Sequence, residues 1–210
     1  MCIRDRIFPI GAVPDYEPAR STSLAALARA AGRPSLEEFY DLLMSENGEA
    51  LLLRPLLNFS DFSLDPVREM LLHPTSAWGL GDGGAHCGTT CDASTPTFML
   101  SHWTRDRDHD RLPLEWVVKK MTHDTAELFG FTDRGTLRPG MIGDANLVDL
   151  DRLSLHRPEM VHDLPGQARR FVQRSDGWVA TVKRGQVIFR DGDDQGARPG
   201  HLVRNSLNPG

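Results

Sequence analysis

The sequence predicts an α/β fold with a small all-β unit at its C-terminal end. The first observation is that residues 50–82 read strand, helix, strand, and about 30 residues is the size of one βαβ unit. Such a unit implies a parallel pair with a right-handed crossover. Second, the apolar run 77–80 shows no alternation, as a buried strand would not, and it leads to Asp82 among Gly81, Gly83 and Gly84, with His86 four residues on. Third, only short strand patterns follow Gly130. The division falls at 131/132, giving residues 1–131 and 132–210 as the two domains.

The elements follow in order. Residues 7–10 read as a short strand broken by Pro9, and residues 11–20, with Pro14, Tyr16 and Pro18, as an ordered loop. Residues 21–31 are rich in Ala and Leu behind a Ser/Thr start, and Gly32 and Pro34 stop that helix. Ser35 with Glu38 has the spacing of a capping box for a second helix through Phe39, Leu42 and Leu43, closed by Asn47-Gly48. Residues 50–58 are continuously apolar, although Pro55 disfavours a central strand. Ser63 caps a helix over 64–72, with Asp65 and Pro66 in its first turn.

Thr95-Pro96 opens a helix through Phe98, Met99, Leu100 and Trp103, and the charged residues 105–111 read as a solvated link. Residues 114–129 carry the longest helical pattern, with Trp116, Val117, Met121, Ala126, Leu128 and Phe129 as the face to be buried and Gly130 as the stop. Strands are then expected at 146–150, 171–172, 178–183 and 186–190. Arg184-Gly185 is a tight hairpin turn between the last two. The tail from Gly196 is rich in Gly, Pro and Asn and is expected to fray.

Bulk composition excludes several function classes. Lys and Arg number 24 against 29 Asp and Glu, a formal charge of -5, so no basic surface marks a nucleic-acid partner. No apolar run approaches the ~20 residues of a membrane helix, and residues 1–6 lack the apolar core of a signal peptide. Cys2, Cys87 and Cys91 are odd in number and lack a disulfide-framework spacing, which fits a reducing compartment; the expected location is cytoplasmic.

An acid at the C-terminal tip of a buried parallel strand is where α/β folds place their chemistry. The flanking glycines let backbone or ligand approach Asp82 closely and permit positive φ. The alternative is an Asp that caps a helix or closes a turn.

A second motif bears on this choice. The helix ending Thr125-Ala126-Glu127-Leu128-Phe129-Gly130 runs into Gly135-x-Leu137-x-Pro139-Gly140-x3-Asp144-x4-Asp149. Together with Gly81-Asp82-Gly83-Gly84-Ala85-His86, in this order, it resembles the C-terminal part of the metal-dependent amidohydrolase superfamily. Within that superfamily the chain is most similar to the N-acyl-D-amino-acid deacylase (D-aminoacylase) group. Residues 82–92, 100–107 and 159–165 carry that likeness, and the resemblance spans about residues 7–204.

The resemblance implies the C-terminal portion of a TIM-like (β/α)8 barrel, followed by a small β-sandwich domain. It implies hydrolysis of a non-peptide C–N bond in a small acylated amine or amide, and a Zn²⁺ cofactor. Asp82 is then the acid after the eighth barrel strand, a metal contact and the general base and acid on the attacking water. His86 either orients substrate or fills a loop.

The family begins its metal site with a His-x-His pair, and no such pair occurs here. A closed barrel needs ~200 residues or more, and far fewer precede Asp82. The chain is therefore expected to be a fragment that lacks most metal ligands, is inactive alone, and has the N-terminal part of the barrel as its partner. Residues 87–101 contain no Arg that could grip a substrate carboxylate. That leaves C–N hydrolysis better supported than N-acyl-D-amino acids as substrates, with a hydantoinase- or dihydroorotase-like class as the alternative. Two other readings stand beside this one. His86, Cys87, Cys91 and Asp92 could form a local zinc loop, or the chain could be a non-catalytic binding or assembly module.

Overall fold

The computed structural model describes residues 3–59, 61–79 and 86–204. The chain divides into two compact units, residues 1–76 and 77–210. Helices and strands are both present, the mixed content expected of the sequence. Among the described residues every strand pair is antiparallel, and the described strands do not close a barrel.

In the first unit, β1 (Phe8–Pro9) pairs with β2 (Leu52–Leu53), Phe8 opposite Leu53. The expected βαβ unit is absent among the described residues. β2 ends at Leu53, two residues before Pro55, which has no N–H to continue a ladder, and residues 77–79 pair with no described strand. Helix α1 (Leu24–Ala30) starts where Ser23 Oγ accepts the Ala26 N–H at 3.3 Å. Helix α2 (Ser35–Met44) begins one residue earlier than the capping box required: Ser35 is already helical behind Pro34, so its hydroxyl caps nothing, and Glu38 faces Arg33 at 3.7 Å instead. Helix α3 (Asp65–Leu72) has Asp65 N–H on Ser63 Oγ and Leu64 N–H on Glu17 Oε1 at 2.7 Å. Phe8, Phe59 and Phe62 meet edge to face at 6.1–6.3 Å and, with Leu24 and Ala28, fill the core of this unit.

The second unit packs helices on small sheets. Helix α4 (Thr95–Ser101) runs on into a wide, π-type turn over His102–Asp106. Helix α5 (Leu114–Lys119) passes through a second such turn, Lys120–Asp124, into α6 (Thr125–Leu128). Strand β3 is Ala145–Val148, β4 Ser154–Leu155, β5 Glu159–Leu164, β6 Ala168–Val172, β7 Ser175–Asp176, β8 Trp178–Lys183, β9 Gln186–Arg190 and β10 Asp193–Asp194. The main sheet has the order β10-β9-β8-β3, while β4 pairs with β7 and β5 with β6. The β8–β9 hairpin turns at Arg184-Gly185, both at positive φ, as the sequence implied.

Two expectations for the helices change. Leu128 and Phe129 are 60% and 56% exposed. The π-type turn adds a residue before them, and each residue rotates the face by about 100°. The 105–111 link is not simply solvated: Arg107 is only 3% exposed, its guanidinium 5.0 Å from the ring centre of buried Trp103. No helix among the described residues is long and apolar enough to cross a membrane.

Candidate active site

Of the motif at 81–86, Asp82 and its glycines lie outside the described residues, and His86 is the first described residue after them. His86 sits at φ +52, exposed, and its carbonyl accepts the N–H groups of Thr89 at 2.8 Å and Thr90 at 2.9 Å. Both threonine hydroxyls donate to the same oxygen. The backbone of His86 is therefore the hub of a tight turn, while its imidazole has no hydrogen-bond partner among the described residues. The next carbonyl, Cys87, accepts Phe171 N–H at 2.6 Å, tying this turn to β6. Further along, Ser94 Oγ donates to Gln173 Oε1 at 2.5 Å. The segment behind Asp82 is thus fastened to the strands of its own unit.

The donors of the postulated zinc loop do not gather. No three donor atoms of His86, Cys87, Cys91 and Asp92 come together, whereas those of His123, Asp124 and Glu127 do. Burial, then the charge of Asp92, pushes the Cys91 thiol up, which keeps it protonated and a poor metal ligand at neutral pH. The His123 cluster lies along one helical surface, and the Lys119 ammonium already contacts Asp124. An ammonium on a candidate ligand opposes a divalent ion. Within this unit, the described residues therefore do not supply the three ligands and open position of a catalytic zinc.

Other histidines of this unit have packing or capping roles where the structure gives them partners. His102 stacks on Phe98 at 4.5 Å, and His123 Nδ1 lies 3.1 Å from Asp124 Oδ1. His156, which the motifs did not single out, bridges β4 and β7 through Asp176 at 2.8 Å.

The second motif proves to be a clasp. Helix α6 ends with Gly130 N–H on Glu127 O and Phe131 N–H on Ala126 O, a Schellman closure with Gly130 at φ +73. Gly135, at φ +88, lies so close to α6 that a Cβ there would stand 2.7 Å from Ala126 Cβ. Gly185 N–H donates to Gly143 O at 2.8 Å. Asp144 accepts Lys183 Nζ at 2.5 Å and Arg184 N–H at 2.9 Å, with Arg134 Nη1 at 3.6 Å. One motif therefore joins the end of α6 to the β8–β9 hairpin.

Two further features were not legible from motifs. Arg105 reaches across to the carbonyls of Leu150 and Leu153, the latter at 2.6 Å, joining the helical segment to the loop before β4. An apolar cavity of about 790 Å³ opens between α4–α6 and the β3–β8–β9 sheet.

The sequence model of the amidohydrolase family matches residues 15–189. No curated protein and no solved structure matches the chain.

Proposed function

The chain belongs to the amidohydrolase family, and from that premise we propose that it is the acid-bearing part of a metal-dependent hydrolase of non-peptide C–N bonds, similar to the N-acyl-D-amino-acid deacylases. The observation that carries this reading is the family match over residues 15–189, which takes in both the Asp82 motif and the clasp, in order. In this reading residues 1–131 are the C-terminal part of a TIM-like barrel and residues 132–210 a small β-sandwich domain. The partner is the N-terminal part of that barrel, and the protein is cytoplasmic.

Asp82 takes the proton of the attacking water and returns it to the leaving amine. His86 is a catalytic residue that orients the substrate carbonyl; its exposed ring, without a partner among the described residues, is available for that work. A bound Zn²⁺ would lower its water's pKa towards ~7. Asp82 would contact it, and in this reading the remaining donors come from outside residues 1–210. The absence of Arg from residues 87–101 favours an acylated amine without a carboxylate at that position.

The test is amine release from a panel of N-acyl-D-amino acids, N-acyl-L-amino acids and uncharged N-acyl amines, with zinc added, for wild type and Asp82→Asn. No release by the chain alone is the expected result. Release abolished by Asp82→Asn would keep the role of Asp82 and overturn incompleteness; release surviving in Asp82→Asn would overturn the reading.

A further inference from the structure

We propose that the cavity between α4–α6 and the β3–β8–β9 sheet binds an apolar monocarboxylate, a small molecule with an aliphatic or aryl body and one anionic end. The proposal does not rest on the hydrolase reading.

At about 790 Å³ the space falls within the ~300–1,000 Å³ of small-molecule sites. Leu100, Val118 and Met121 line it from the helices, and Val148, Trp178 and Ile188 from the sheet. Such walls gain from an apolar body and give nothing to a highly polar one.

The charged lining is Arg134, Asp144 and Lys183. Asp144 is spent: one oxygen takes Lys183 Nζ and the other Arg184 N–H. An ammonium carries three donors, and in Lys183 one of them goes to Asp144. Arg134 is held from outside the cavity lining by Asp133, which is about half exposed, through two N–H donors at 2.8 and 3.1 Å. With Asp133 counted, two cations and two carboxylates balance at this end, and Arg134 Nη1 lies 3.6 Å from Asp144 as well; both carboxylates are engaged, while the Lys183 ammonium keeps donors to spare. Thr136 Oγ1, buried and without a hydrogen-bond partner among the described residues, adds one more unspent donor to the wall. An anionic acceptor completes this set through charge-assisted hydrogen bonds, whereas an ammonium ligand finds the carboxylates already engaged. Being already anchored, both cations lose little side-chain freedom on binding.

The experiment titrates the 210-residue chain with a bromine-labelled dodecanoate, kept below its micelle concentration, and follows indole quenching, since Trp178 lines the cavity. Bromine-labelled dodecanol and dodecylamine serve as probes of equal length. We expect saturable quenching by the carboxylate, with affinity about tenfold or more above the alcohol, as a charge-assisted hydrogen bond supplies, and no saturation with the amine. Val118→Phe, which fills the cavity from a partly exposed helix position, should weaken the carboxylate about tenfold while leaving the circular dichroism unchanged.

Lys183→Gln tests the anionic end separately and should reduce the preference for carboxylate over alcohol. No saturable quenching, equal affinity for all three probes, or indifference to Val118→Phe would overturn the proposal. So would a chain that is dimeric by sedimentation, is made monomeric by Val118→Phe and fails to bind the carboxylate, because a second copy would then be the occupant.

Discussion

Asp144 is a motif carboxylate with a structural role: it is consumed by Lys183, Arg184 N–H and Arg134. Burial opposes its charge, but the hydrogen bonds from Lys183 and Arg184 and the nearby guanidinium outweigh burial and hold the carboxyl below the usual carboxylate range. An unfolded Asp titrates near ~3.9, so above that pH both states are ionised and the stabilisation is complete. As pH falls from there through the lower folded value, the unfolded chain takes up the proton first and the stabilisation is lost. Asp144→Asn should therefore cost about 1–3 kcal/mol at pH 7 and flatten the loss of melting temperature below about pH 4; an unchanged acid limb would contradict this. Gly135→Ala combines a positive φ with a close approach to Ala126 and should cost about 2–4 kcal/mol in denaturant melts. With its pKa raised, Cys91 should react with a thiol reagent at neutral pH more slowly than a free cysteine does. Sequence alone marked Gly135, Gly140 and Asp144 as a unit through family likeness. The clasp itself was hidden, because Lys183 and Arg184 stand far along the chain and no local pattern names them as partners.

At the level of elements, periodicity located α1, α2, α3 and the β8–β9 hairpin well, since caps, prolines and a two-residue turn are local signals. It failed where a helix changes pitch. The turn at Lys120–Asp124 shifts the phase of everything after it, so Leu128 and Phe129 leave the buried face and Lys120 joins it. The same limit applies to residues 105–111, where charge suggested solvent but Trp103 supplies a surface for Arg107. Strand β5 escaped notice because Glu159, His162 and Asp163 break its apolar pattern; β6 pairs with it, and Arg170 grips Asp163 at 2.7 Å. Trp103→Ala, removing the largest fully buried side chain among the described residues, should cost about 3–5 kcal/mol. Arg107→Met should be milder, because methionine replaces the buried stem against Trp103.

For the whole molecule, exposed apolar side chains are the dominant feature. Leu36, Tyr40 and Met44 stand out on α2, no residue of which is buried, and Leu57 is 82% exposed. Apolar surface of this kind drives association, so the isolated chain should self-associate with rising concentration in light scattering, and Leu36→Lys with Tyr40→Lys should reduce it. Strictly monomeric behaviour at high concentration would contradict that. The family was legible from residue order through its two motifs, whereas a metal donor set was not, because such a set is assembled by topology and the histidines within these 210 residues lack the needed spacing. The central claim is that Asp82 serves an amidohydrolase centre whose other metal donors lie outside residues 1–210. Its most direct test is the metal content of the purified chain, by elemental analysis after purification without chelators. The account predicts no stoichiometric metal; about one zinc per chain, lost on Cys87→Ser with Cys91→Ser, would contradict it and establish the local zinc loop in its place.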